Sequence, residues 1–236
     1  KWLEKYPDNQ VAQHMGNAVL NRAVRPRAND EYLKNIFDIF APDFEQVLTG
    51  LDYRAPELIR CLLEEIYGSK KSPRLRILDA GCGTGFCGGF LKKYSSFRGL
   101  YGVDISEKML EQAQAKKVYS HLLQSELEQY FSQAKTKFDL IVSADVFTYF
   151  GSLEKLLSGM ADSLSAGGRV IFTVSENNLN DDDYFLHSSG RYLHHQNYVG
   201  KVLEKAGFEV EKLEHAKLRN EGENIVYGYV VSALKK

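Results

Sequence analysis

Chemistry gathers first where carboxylates stand beside glycines. The run Leu75-Arg76-Ile77-Leu78-Asp79 ends in an acid and breaks into Ala80-Gly81-Cys82-Gly83-Thr84-Gly85. An apolar run of this length against glycine punctuation reads as a buried strand entering a tight turn. Glycine at alternate positions lets the backbone take positive φ and approach a ligand closely. The next strand-like run, Gly99 to Val103, leads into Asp104. A carboxylate there can accept hydrogen bonds from both hydroxyls of a ribose. The pattern is that of a nucleoside-binding half-fold, with the nucleoside still to be chosen.

The glycines can be parsed as Gly83-x-Gly85-x-x-Gly88, which formally matches the dinucleotide fingerprint. That fingerprint follows directly on its strand, so that a helix N-terminus faces a pyrophosphate. Here the strand stops at Asp79 and the matching triplet begins later. Asp79 would also turn a negative charge toward the pyrophosphate. A ligand with positive charge and no phosphate fits better, and S-adenosylmethionine, with its sulfonium and α-ammonium, is such a ligand. At Asp79-Ala80-Gly81-Cys82-Gly83-Thr84-Gly85 the chain resembles the class I S-adenosylmethionine-dependent methyltransferases. Beside Asp104, Ser106 is a good N-cap for a helix over Glu107 to Lys117, and Ile105 and Met109 are then placed to flank an adenine ring.

The resemblance implies further site residues. Glu126, with Leu127 beside it, stands where the family has an acid accepting from the adenine amino group, more often aspartate. As a plain glutamate at a helix start it would instead complement the helix dipole. Ser143-Ala144-Asp145-Val146-Phe147-Thr148-Tyr149-Phe150 resembles the fourth motif, which implies a backbone contact from Ala144 to the methionine amine. The run Phe37-Asp38-Ile39-Phe40-Ala41, then Phe44 and Tyr53-Arg54-Ala55-Pro56, is similar to the entry segment of bacterial tetratricopeptide-type methyltransferases. There the segment caps the cofactor, with Tyr53 and Arg54 near its methionine end. An arginine fork suits a carboxylate, although Arg54 also reads as one half of a surface ion pair. Past the fifth strand-like run, His187, His194 and His195 cluster. His194 and His195 are the general-base candidates for a hydroxyl acceptor, since a free imidazole titrates near neutrality; a solvated or capping role is the blander reading of each.

The elements that must position these residues follow from periodicity. Strands are expected at Leu75 to Asp79, Leu100 to Asp104, Tyr119 to Leu123, Phe138 to Val142 and Arg169 to Val174. Helices alternate with them, and two strands, Phe208 to Leu213 and Ile225 to Ala233, close the chain. Residues 29–68 carry apolar residues at three- and four-residue steps, broken at Ala41-Pro42, with Pro56 opening a further helix. The expected fold is α/β and Rossmann-like: a seven-stranded, mostly parallel sheet with helices on both faces and an N-terminal helical cap over 29–68. Residues 1–28 read as a helical segment, and Tyr6-Pro7-Asp8-Asn9 with Ala12, His14 and Leu20 resembles the end of a tetratricopeptide repeat. Residues 175–199 show no regular pattern.

The totals set bounds. With 236 residues, 44% hydrophobic, and 30 basic against 31 acidic side chains, this is an ordinary globular composition. No basic excess points to nucleic acid, and no apolar run reaches membrane-spanning length. Cys61, Cys82 and Cys87 are odd in number and lack metal-ligand spacing, so they read as reduced thiols of a cytoplasmic protein. A start at Lys1 reads as a piece or a processed form of something longer. The expected activity is transfer of a methyl group from S-adenosylmethionine to a small or medium acceptor through O, N or S, leaving S-adenosylhomocysteine, with no metal. Two alternatives stay open: a catalytically silent, cofactor-binding scaffold that recruits a protein partner through its N-terminal helices, and a nicotinamide-dependent oxidoreductase, which the displaced glycines disfavour.

Overall fold

The computed structural model describes residues 5–20, 25–68 and 73–236. Its centre is one sheet built from β1 (Leu75–Ala80), β2 (Ser95–Asp104), β3 (His121–Gln124), β4 (Phe138–Ser143), β5 (Leu164–Ser175), β8 (Phe208–Glu221) and β9 (Asn224–Lys235). The order across the sheet is β3-β2-β1-β4-β5-β9-β8, parallel except where β9 runs against its two neighbours. The order reverses between β1 and β4, which opens a crevice at their carboxyl ends, where α/β sheets bind ligands.

Alternation along each strand splits the core into two layers. Leu78, Ile141 and Phe172 face one side with Phe131, Leu157 and Leu203. These last three come from helices α7 (Leu127–Gln133), α8 (Glu154–Ser163) and α9 (Gln196–Lys205). Ile77, Leu140 and Ile171 face the other, against Ile59, Leu63 and Leu91, from α4 (Ala55–Tyr67) and α5 (Gly88–Tyr94). The remaining helix of the alternation, α6 (Glu107–Ala115), follows β2, and Met109 N–H donates to the Ser106 hydroxyl at 3.1 Å to cap it.

The N-terminal cap is present. Helix α2 (Asp30–Phe40) ends at a 3-10 turn over Ala41–Asp43, as the Ala41-Pro42 break predicts, and α3 (Phe44–Gly50) follows. Upstream, α1 (Gln10–Leu20) lies against the domain, with the His14 ring stacked on Tyr32 at 4.1 Å. Trp2 and Leu3 lie outside the described residues. Among the described residues no helix is long and apolar enough to cross a membrane.

Two expectations change. The stretch 175–199 is ordered: β6 (Tyr184–Leu186) and β7 (Tyr192–His194) form a hairpin before α9. The closing strands are also longer than their apolar cores, because β8 and β9 pair from Phe208↔Lys235 through Glu221↔Asn224. Cross-strand pairing carries the charged outer half that hydrophobicity alone misses.

Candidate active site

The glycine loop sits at the carboxyl end of β1, and its glycines are needed for packing. Gly81 has φ +74°, and a Cβ there would come within 2.3 Å of Val146 Cγ2. Gly85 has φ +83°, and a Cβ would meet Tyr119 Cε2 at 2.9 Å. The loop is held in place by Asp104, which accepts from Gly83 N–H at 2.8 Å and, through its other oxygen, from Ser106 N–H at 2.9 Å. Burial pushes the Asp104 carboxyl up to about 6, although the Ser106 and Gly83 amides favour its charged form.

The cap closes over this loop through polar contacts. Ser106 hydroxyl donates to Asp38 at 2.6 Å, and Thr84 hydroxyl donates to Glu45 at 2.7 Å. Lys116 also pairs with Glu45, and the Gln112 amide donates to the Ala41 carbonyl. Between cap and loop lies a cavity of about 820 Å³ including its open mouth. Tyr53, Gly81, Gly83, Asp104, Ile105, Met109, Glu126, Leu127 and Ala144 all line it. Phe37 and Phe44 of the entry segment line it as well, with ring centroids 6.3 Å apart.

Other expected site residues are elsewhere. Asp79 is 1% exposed, lies beneath the loop and accepts from the Tyr119 hydroxyl at 2.6 Å. Burial pushes it up to about 7 despite that hydrogen bond, and it is not among the residues lining the cavity. Cys82 is buried behind the loop, its Sγ 2.9 Å from where a Cβ on Gly102 would stand. Gly85 packs on Tyr119 rather than facing the cavity. The guanidinium of Arg54 pairs with Glu57 at 3.3 Å on the surface. Glu126 lines the cavity, but its carboxylate caps α7, accepting from Glu128 N–H at 3.0 Å and Gln129 N–H at 2.9 Å.

The two candidate bases are not at the cavity. His194 is 0% exposed within the core, where its Nε2 donates to the Gly151 carbonyl at 3.1 Å. Burial lowers it to about 4, against the raising effect of the Gly151 and Phe150 backbone. His195 caps α9, its Nδ1 accepting from Asn197 N–H at 3.2 Å. Alternation along β7 turns His194 inward, and the start of α9 uses His195. Neither position is set by the local sequence pattern that singled them out.

Two arginines, Arg191 and Arg219, carried no role in the sequence reading. Arg191, between the β6 and β7 strands, is the one lysine or arginine among the described residues lining the cavity. Asp145, also in the lining, has φ +57° and accepts from Arg219 Nη1 at 2.9 Å on both oxygens. Arg219 is only 2% exposed and comes from β8. The residues fit a nucleoside joined to a charged amino acid: carboxylate and glycine backbone at one end, apolar walls between, and Ala144 beside the loop. They offer no metal site, since no cluster of three His, Cys, Asp or Glu occurs among the described residues.

Comparison with known proteins agrees with this geometry. Residues 78–172 match the family model described as a methyltransferase domain. The chain is 43% identical over 89 residues to Methyltransferase-like protein 27 of Homo sapiens, covering 37% of this chain and 35% of that protein. It is 30% identical over 162 residues to malonyl-[acyl-carrier protein] O-methyltransferase of Halalkalibacterium halodurans, covering 66% and 57%. The chain thus spans between about a third and three-fifths of these relatives' length. In fold it is similar to magnesium protoporphyrin IX methyltransferase from Synechocystis solved with bound S-adenosylhomocysteine, with TM-score 0.69 and 18% identity, covering 88% of this chain and 100% of that one.

Proposed function

We propose that this chain, whose residues 78–172 form a methyltransferase domain of the class I fold, transfers a methyl group from S-adenosylmethionine to a small or medium acceptor. The observation that carries the reading is Asp104. Its two oxygens fix the glycine loop and the start of α6 while its carboxylate lines the cavity at the carboxyl end of β2. There it can accept from a ribose diol.

The bound cofactor supplies an already activated methyl group. This chain's residues bind, orient and exclude water. Ile105, Met109 and Leu127 offer apolar walls for the base, and Gly81, Gly83 and Ala144 let backbone come close to the amino-acid end. Phe37, Phe44 and Tyr53 cover it from above. No histidine lines the cavity, so an imidazole base is not part of the site.

The reading extends to the N-terminal segment and the compartment. Exposed Val19 and Leu20 on α1 support a repeat-like neighbour upstream and a protein partner on that face. Three free thiols support a reducing, cytoplasmic setting. Calorimetric titration with S-adenosylmethionine, S-adenosylhomocysteine and NAD tests the central reading. Heat with the first two alone is expected; heat with NAD alone, or with none, would overturn it.

A further inference from the structure

A second cavity, of about 1130 Å³ including its mouth, lies on the β8–β9 side and is lined by Leu179, His187, Leu193, Arg219 and Tyr227 among others. Arg191 lines both this cavity and the one under the cap, so its side chain forms a shared wall. The hairpin that carries Arg191 follows β5, one strand beyond the β2-β1-β4 crevice that holds the glycine loop, Asp104 and Ala144. That places Arg191 on the far side of the cofactor half.

Charge around Arg191 is arranged to leave it usable. Asp145, an acid in the lining of the cavity under the cap, is paired with buried Arg219. The direct partners of Arg191 are Glu221, at 3.1 Å from Arg191 Nη1 and 41% exposed, and the Tyr149 hydroxyl, which accepts a side-chain hydrogen bond. A guanidinium has five donors in a fork, so one solvated carboxylate and one hydroxyl leave donors free. Arg219, its charge matched by Asp145, also lines the second cavity, and its buried Nε has no hydrogen-bond partner among the described residues. No histidine lines the cavity under the cap, so an acceptor that must lose a proton finds no imidazole there.

Resting on the methyl-transfer reading, we infer that the acceptor is a carboxylic acid whose carboxylate Arg191 holds at the shared wall, with its body in the second cavity. One carboxylate oxygen forms a bond to the methyl carbon as the carbon–sulfur bond breaks and its electron pair leaves on sulfur. The product is a methyl ester. The carboxylate is already anionic, so no base is required, and Arg191 orients the acceptor through the other oxygen.

The test uses the full chain with tritium in the methyl group of S-adenosylmethionine. Octanoate, benzoate and monoethyl malonate are the probe acids, compared with their amides. The expected result is label in the acids alone, released as methanol by mild base. Arg191→Gln raises acceptor KM at least about tenfold while S-adenosylhomocysteine affinity stays within about twofold. Arg191→Lys recovers part of the loss, and Glu221→Gln, which removes the competing carboxylate, lowers KM. Equal labelling of amides, base-stable label, or no labelled acid from a protein that binds cofactor would overturn the inference. So would loss of S-adenosylhomocysteine binding in Arg191→Gln, which would assign Arg191 to the cofactor. Failure of the wild type to bind S-adenosylmethionine or S-adenosylhomocysteine would instead sink the methyl-transfer reading itself.

Discussion

The two halves of the cavity are built over different distances along the chain. On the cofactor side, Asp104 reaches Gly83 across 21 residues, and Ser106 caps its own helix. On the acceptor side, Arg219 reaches Asp145 across 74 residues, and His14 reaches Gly190 across 176. The floor of the first half is a short strand-loop-strand unit whose geometry follows from its own residues, with the cap then laid over it through Ser106–Asp38 and Thr84–Glu45. The second is assembled only when β8, the β6–β7 hairpin and the N-terminal helix have all docked. One half can therefore serve as a fixed cofactor cradle while the other varies with the acceptor.

Breaking the long-range half should cost most. Asp145→Ala leaves Arg219 charged, buried and unpaired, and is expected to destabilise the fold by about 3–5 kcal/mol in urea unfolding. Replacing the pair together, Asp145→Ala with Arg219→Met, should recover most of that loss. A single variant as stable as wild type would show that the pair does not hold this half together.

Tyr119→Phe tests the local half at its base. It removes the hydroxyl that donates to Asp79 and leaves a buried acid without that partner. The expected cost is about 1–3 kcal/mol of stability, with Asp79 pushed further above about 7.

Acidification should separate cofactor binding from stability. Asp104 stands at about 6 against an ordinary 3.8, and Asp79 at about 7. A raised carboxyl favours the protonated folded protein, so these groups stabilise the fold most fully below about pH 4. That contribution is lost as pH rises through about 6 and 7. Cofactor binding runs the other way, because protonated Asp104 loses an acceptor for the ribose. Affinity should fall about tenfold between about pH 7 and pH 5, measured by calorimetry. Nearby Asp38 shares the environment and also disfavours the charged form of Asp104.

The smallest expected effect is at the N-terminal contact. His14 Nε2 donates to the Gly190 carbonyl at 2.7 Å, next to Arg191. His14→Ala should cost about 1 kcal/mol and speed hydrogen exchange at the Gly190 amide, which donates to His187. Cofactor affinity should not change.

Legibility in the sequence follows the same division. Seven strands, their order of appearance, the break at Pro42 and the Ser106 cap were all readable, because periodicity and turn residues act locally. So were Asp104, Ile105 and Met109 as cavity residues. Asp79, Cys82 and Gly85 carry the motif's letters, yet they support the loop from behind. A sequence cannot tell a residue that faces the ligand from one that packs the turn. Arg191 and Arg219 gave no local signal; only their partners, supplied by distant elements, make them part of the site. His194 and His195 show the converse, a cluster in sequence that one strand and one helix start pull apart.

The division between the halves is tested most directly by S-adenosylhomocysteine affinity in two variants measured side by side at neutral pH. Asp104→Ala is expected to weaken binding about 100-fold or more, the loss of two hydrogen bonds to a charged acceptor. Arg191→Gln is expected to stay within about twofold of wild type. Unchanged affinity in Asp104→Ala together with a loss in Arg191→Gln would contradict the account.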